Sequence, residues 1–345
     1  MEQINNIFLN LISKHEPGAA VLVVKDGNIV FERGYGVADL GLQRPINART
    51  NFRLASVTKQ FTGMAIMLLA HDGKLRYEDR LTDIFPDFPE YGKSITIRHL
   101  LNHSSGLLNY EDLMPTYAAD TPVEQIQIKD AAVLDLLINQ RTTKFTPGAK
   151  WDYSNSGYVL LGLIVEKMSG KPFRQFLHDR IFFPLKMKRT LVFERGKNEV
   201  SDRAFGHTKE LDGWHQTDQS PTSATQGDGG IYSSLEDLAR WDRSLRERTL
   251  LSDKEMQPAL TPVRVPGGSV TQPDGTPADY GFGWFLNPYK GHARMWHYGE
   301  TVGFRTTIQR FLDDRLTVIV LCNRADLDAS ELALKVADLY LAKRS

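Results

Sequence analysis

Apolar positions at the start of the chain change period twice. Over residues 2–15 they recur at helical spacing (Ile4, Phe8, Leu9, Leu11, Ile12), which predicts an amphipathic helix. Two β-rich runs follow, Ala20 to Val24 and Asn28 to Gly34, and Asp26-Gly27 between them is a hairpin signal. Residues 56–71 are strongly apolar and predict a helix ending near Gly73. From about 76 to 225 the pattern is mostly helical, with candidate helices at 96–103, 130–140, 155–169 and 172–180. The stretch 201–230 is polar and rich in Gly, Ser and Thr, and predicts one long loop. A helix over 234–248 follows, with Ser233 and Glu236 spaced as a capping box. Strands are predicted at 282–287, 293–298, 304–312 and 315–322, the last pair turned by Asp313-Asp314, and a final helix at 328–343. No internal repeat or low-complexity tract appears.

Strands at both chain ends with helices between them predict an α/β protein of the α+β type. An antiparallel sheet flanked by helices would be built from 1–75 and 226–345, with 76–225 as an inserted, mostly helical domain. The pattern does not alternate strand and helix, and no glycine-rich nucleotide fingerprint is present. The 345 residues are 41% hydrophobic and 24% charged, an ordinary globular composition. With 42 basic and 42 acidic side chains the formal net charge is +0, so there is no bulk attraction to nucleic acid or an anionic membrane. The longest apolar runs, Gly63 to Ala70 and Tyr158 to Val165, are far short of the ~20 residues that span a bilayer. Met1-Glu2-Gln3 lacks the basic start of an export signal. The expectation is a cytoplasmic protein if the chain begins at its native start, and a periplasmic or secreted one if a leader has been removed. The single cysteine, Cys322, closes an apolar run and reads as a small buried hydrophobe.

Three short clusters carry candidate chemistry. In Ser56-Val57-Thr58-Lys59 the i, i+3 spacing lets the lysine amine reach the serine hydroxyl, and a helix N-terminus offers N–H groups to a developing oxyanion. Alone, this four-residue pattern arises by chance about once in a chain of this length. In Tyr153-Ser154-Asn155 a phenol of ordinary pKa near ~10 would be a poor base unless a cation such as Lys59 favours its phenolate. The bland reading makes Tyr153 a turn aromatic and Asn155 a helix N-cap. In His297-Tyr298-Gly299 the glycine would let a substrate approach a strand backbone closely; the bland reading is a chance histidine at a strand end.

Together these clusters resemble the three motifs of the serine β-lactamase and penicillin-binding protein superfamily, on its class C-like branch. That branch includes class C β-lactamases, DD-carboxypeptidases with a His-x-Gly third motif, D-amino-acid peptidases and family VIII carboxylesterases. The resemblance extends to Ile97 through Leu107, Pro147 through Tyr158, Pro184 through Met187 and Gly229 through Leu238, in the family's order over roughly 20–325. It implies that Ser56 is the acylated nucleophile, that Lys59 shares the proton transfers, and that Tyr153 is the general base. Asn155 would contact the substrate or orient Lys59, and the backbone N–H groups of Ser56 and Glu300 would form an oxyanion hole. No metal or organic cofactor is implied.

The departures point away from a dedicated β-lactamase. His297 stands where class C enzymes usually carry a permanently cationic lysine, and a histidine is mostly neutral near pH 7. Glu300 adds a negative charge beside the expected oxyanion site, with Arg305 close enough in sequence to neutralise it. The expected substrate is a small ester, amide or β-lactam, with penicillin binding as a side activity. The alternatives are a D-amino-acid peptidase or DD-carboxypeptidase, and a non-catalytic ligand-binding scaffold. Activity is expected to rise with pH as the Lys59–Tyr153 pair loses a proton. His99 and His103 have i, i+4 spacing but are read as packing residues. Trp214, Tyr232, Trp284 and Trp296 read as core, with Tyr232, Trp284 and Trp296 as candidate pocket walls and the 201–226 loop as a candidate rim.

Overall fold

The computed structural model describes residues 1–118, 120–266 and 278–342. Its larger elements are α1 (Glu2–Leu9), β1 (Ala19–Lys25), β2 (Asn28–Tyr35), α2 (Lys59–His71), α3 (Asp130–Ile138), α4 (Asn155–Ser169), α5 (Leu235–Glu247), β3 (Arg294–Thr301), β4 (Phe304–Phe311), β5 (Leu316–Cys322) and α6 (Ala329–Ala337). The five strands form one antiparallel sheet in the order β3-β4-β5-β1-β2, so the two chain ends meet at its centre. Asp26 and Gly27 turn β1 into β2 with φ of 51° and 86°, the left-handed pair that a tight hairpin requires.

Both faces of the sheet are covered, which explains why β1 and β5 are apolar without alternation. Ala20, Leu22, Ile319 and Leu321 point into the main core with α2 and α5, while Ala19, Val21, Val23, Val318 and Val320 pack under α1 and α6. Cys322 is fully buried in that second layer. α2 is buried on every side over Lys59–Leu69, as a central helix between sheet and helical region must be. No helix among the described residues is long and apolar enough to cross a membrane.

Several local expectations are corrected. The predicted strand at 282–287 is a tight loop: Gly281 N–H bonds the Trp284 carbonyl at 2.8 Å, Gly283 takes φ 79°, and only single bridges join Phe285 to Tyr280 and Trp296. Phe285 alone pairs with β3, through reciprocal backbone bonds of 2.9 Å to Trp296. The loop at 201–230 contains a hairpin, His207–Glu210 with Gly213–Gln216. The cap of α5 is Ser234, whose hydroxyl accepts from Asp237 N–H, while Ser233 instead bonds Thr190 at 2.7 Å. Helix Ile97–Leu101 stops before His103, which takes φ 62°, so His99 and His103 do not share a helical face. α1 ends at Leu9 and α6 at Ala337, both shorter than their apolar patterns; residue 343 of the latter lies outside the described residues.

Candidate active site

The site forms where the edge strand β3 meets the start of α2 and the start of α4. The chain enters α2 from the short strand Phe52–Arg53 through Ala55, whose φ of 48° is rare for a residue with a side chain. A 3₁₀ turn over Ala55–Thr58 follows, and Ser56 is its partly exposed member among buried neighbours. Ser56 thus sits in a kinked turn one step ahead of the α-helix rather than on the helix proper.

Lys59 has no solvent exposure and donates three hydrogen bonds, to Ser56 Oγ at 2.9 Å, Asn155 Oδ1 at 2.8 Å and the Asp228 carbonyl at 2.9 Å. Two of these partners are acceptors only. When Lys59 is neutral, its two remaining N–H groups stay on Asn155 and Asp228, and its lone pair is aimed at the Ser56 hydroxyl. Burial draws the Lys59 pKa down to about 8, against the upward pull of the Asp228 and Glu111 carboxylates.

Asn155 owes its orientation to Glu111, which accepts its Nδ2–H at 2.7 Å and leaves Oδ1 facing Lys59. The helix cap beside it is Ser154, whose hydroxyl accepts from Gly157 N–H at 3.1 Å, so Asn155 is free of the capping duty considered for it. Asp228 is delivered by a close approach of backbone to backbone. A Cβ on Gly227 would fall 2.3 Å from the Tyr158 carbonyl of α4, and Thr62 of α2 donates to the Gly227 carbonyl at 2.6 Å.

The Tyr153 phenol hydrogen-bonds the Ser56 side chain, and burial holds its pKa well above the ordinary phenol value. Desolvation outweighs any help a neighbouring ammonium gives the phenolate, so Tyr153 is protonated at rest and Lys59 is the group nearer to titration. Its ring lies 4.3 Å from that of His103 and parallel to Phe285 at 6.4 Å. His103 is buried and accepts the Ser154 N–H at Nδ1, 3.1 Å away; burial holds it neutral.

His297 lies inside β3, not at its end. Its Nδ1 faces the Tyr298 carbonyl at 2.7 Å and must carry the proton, so Nε2 accepts from the Tyr280 hydroxyl at 2.9 Å. Burial and the nearby Lys59 charge push its pKa down to about 3, so it offers no cation to a substrate carboxylate. Gly299 meets the turn that carries Ser56 at close range. A Cβ there would fall 2.1 Å from the Leu54 carbonyl and 3.0 Å from Ser56 N, so the glycine admits the turn that carries Ser56. Glu300 is exposed opposite Arg305 in the β3–β4 register, and Arg305 spends Nη1 on the Thr301 and Phe304 carbonyls at 2.8 Å.

Of the aromatic candidates, Trp296 stacks on Phe285 and Tyr298 next to Tyr153. Trp284 is buried in the core, Tyr232 packs on Arg203 opposite Arg53 in the short strand pair, and Trp214 lies against Arg324. Sequence reasoning missed Glu111, Asp228, Tyr110 and Tyr280. Nothing local marks the first two, because Glu111 lies 44 residues from Asn155 and Asp228 lies 169 from Lys59.

The model of the Beta-lactamase family matches residues 4–342. A penicillin-binding protein of Bacillus subtilis is 34% identical over 355 residues, covering 99% of this chain and 76% of its own length. The chain belongs to the β-lactamase family. It is a serine hydrolase of that family, built on the β-lactamase and penicillin-binding protein fold. Among its relatives a D-aminopeptidase of Brucella melitensis is 30% identical, over 94% of this chain and 60% of its own length, so this β-lactamase-family chain spans well under two thirds of that relative. The structure of D-amino acid amidase from Ochrobactrum anthropi superposes with a TM-score of 0.75 at 26% identity, covering 97% of each chain.

Proposed function

We propose that the protein hydrolyses small amides or esters that carry a free amine, through an acyl-enzyme on Ser56. Neutral Lys59 takes the hydroxyl proton as Ser56 Oγ bonds the substrate carbonyl carbon. The carbonyl electrons move onto oxygen, where the N–H groups of Ser56 and Glu300 receive the charge. The intermediate collapses, the bond to the leaving amine or alcohol breaks, and Tyr153, protonated at rest, gives the leaving group its proton. Tyr153 regains a proton from Lys59, and water then releases the acid and restores Ser56.

The observation that carries the substrate class is the charge balance. Asp228 and Glu111 act on Lys59 as two carboxylates against one cation, and His103 and His297 are held neutral. Such a site suits a substrate ammonium and disfavours the carboxylate of a penicillin. Glu111 is half-buried and opens onto a groove of about 570 Å³ walled by Met114, Tyr117, Ile126 and Pro221, with room for an apolar side chain beyond the amine. The 220–222 part of the long polar loop lines this groove. A D-aminopeptidase and a D-amino acid amidase among the similar proteins support the same class.

The test compares kcat/KM for D-phenylalanine amide, its N-acetyl derivative, a p-nitrophenyl ester and benzylpenicillin. The reading expects the free amine to be preferred over its acetylated form by at least about tenfold, equivalent to ~1.4 kcal/mol. Equal rates for the two, or a preference for benzylpenicillin, would overturn the substrate class.

A further inference from the structure

Asp228 does more than lend its carbonyl to Lys59. Its carboxylate is buried, one oxygen accepts from the Tyr110 hydroxyl at 3.3 Å, and the other, Oδ1, has no hydrogen-bond partner among the described residues. Tyr110 is itself buried and held in place by its backbone N–H, which donates to Ser156 Oγ of α4 at 2.8 Å. A buried carboxylate with one oxygen unsatisfied is costly to keep in a fold, and such groups gather where charge is needed. Among the described residues the carboxylate has no ion pair of its own, and its charge acts on Lys59.

We propose that Asp228, clamped by Tyr110, is a positioning residue that sets the pH at which Lys59 becomes the base for Ser56. Two features of one residue act on the same amine. The carbonyl fixes where the lone pair points, and the carboxylate opposes loss of the proton. The groups facing Lys59 from the surrounding elements are Ser56, Asn155 and Glu111, the rings of Tyr153 and Tyr158, and the imidazoles of His103 and His297. Of these, only Glu111 shares the sign of Asp228, and Glu111 is partly spent on the Asn155 amide. The proposal rests on Ser56 and Lys59 doing the chemistry, but not on the choice of substrate.

The experiment is the pH dependence of Ser56 phosphonylation by a fluorophosphonate, in which Oγ bonds phosphorus and fluoride leaves, followed by intact-protein mass, for wild type, Asp228→Asn and Tyr110→Phe. Removing the carboxylate favours the neutral amine, so the acid limb of the Asp228→Asn profile is expected to move to lower pH by about one unit. Tyr110→Phe removes the donor that clamps the buried carboxylate, so its limb moves the same way by less. A midpoint does not depend on the fraction of protein that folds, so partial misfolding leaves the readout intact. Unmoved midpoints in both variants would overturn the proposal. Absence of a wild-type phosphonyl adduct at every pH would instead overturn the Ser56 chemistry on which it rests.

Discussion

Substituting alanine at Gly299 drives a methyl group into the turn that carries Ser56. The added Cβ would stand 2.1 Å from the Leu54 carbonyl oxygen, 2.6 Å from Thr306 Oγ1 and 3.0 Å from Ser56 N. Ordinary contact begins near 3.4 Å, so strand and turn must part by roughly 1.3 Å at the tightest point. Two of the three obstacles are backbone atoms, and the third is tied down, because Thr306 donates to the Leu54 carbonyl at 2.7 Å. No flexible side chain is available to absorb the change. Overpacking of this kind costs about 1–3 kcal/mol of stability, a fall of a few degrees in Tm. The effect on catalysis is larger, since a displacement of about 1 Å at reacting groups costs on the order of 100-fold. The assay is ester or amide hydrolysis at saturating and limiting substrate, alongside thermal unfolding. Gly299→Ala is expected to fold with a modest loss of Tm and a drop in kcat of roughly 100-fold. Wild-type kcat in a folded variant would refute the claim that β3 and the Ser56 turn are in enforced contact.

Other outcomes follow from the same geometry. Because Lys59 must be neutral to act and its pKa is lowered to about 8, kcat/KM for a p-nitrophenyl ester without an amine should rise about tenfold between pH 7 and its plateau above pH 9; a flat profile would count against Lys59 as base. Asp242 is buried and bonds Arg310 and Thr317, and these with Arg246 hold its pKa below the ordinary carboxylate value. Asp242→Ala should therefore lower stability by about 3–5 kcal/mol, read by denaturant melts. With a depressed folded-state pKa, the stabilisation in wild type is present above the unfolded value and is lost as pH falls below about 4. Burial pushes the Cys322 thiol up to about 12, so a thiol reagent at pH 8 should react only after denaturation.

The sequence was readable where the deciding chemistry is local. Asp26-Gly27 turns the first hairpin because its φ preferences are intrinsic, and Ser56 and Lys59 meet because three residues of helical turn bring them together. Reading failed where tertiary contact decides. Phe282 to Phe285 resembles a strand by composition, yet a left-handed Gly283 pressed on the first turn of α2 folds it into a loop. Ser233 and Ser234 are adjacent, and Ser233 is held in the short strand Ile231–Ser233 opposite Phe52, so the cap falls to the second. Asp228 bonds Lys59 from a loop, and Glu111 acts on it from the short helix Tyr110–Leu113 through Asn155; both are far along the chain, and no spacing rule links them.

The central claim is that Ser56 is the nucleophile, and intact-protein mass measures it most directly. Wild type and Ser56→Ala are each exposed briefly to a fluorophosphonate, with folding checked by circular dichroism. The account predicts a single adduct of the expected mass on wild type and none on Ser56→Ala. An adduct on both proteins, or on neither while both are folded, would contradict it.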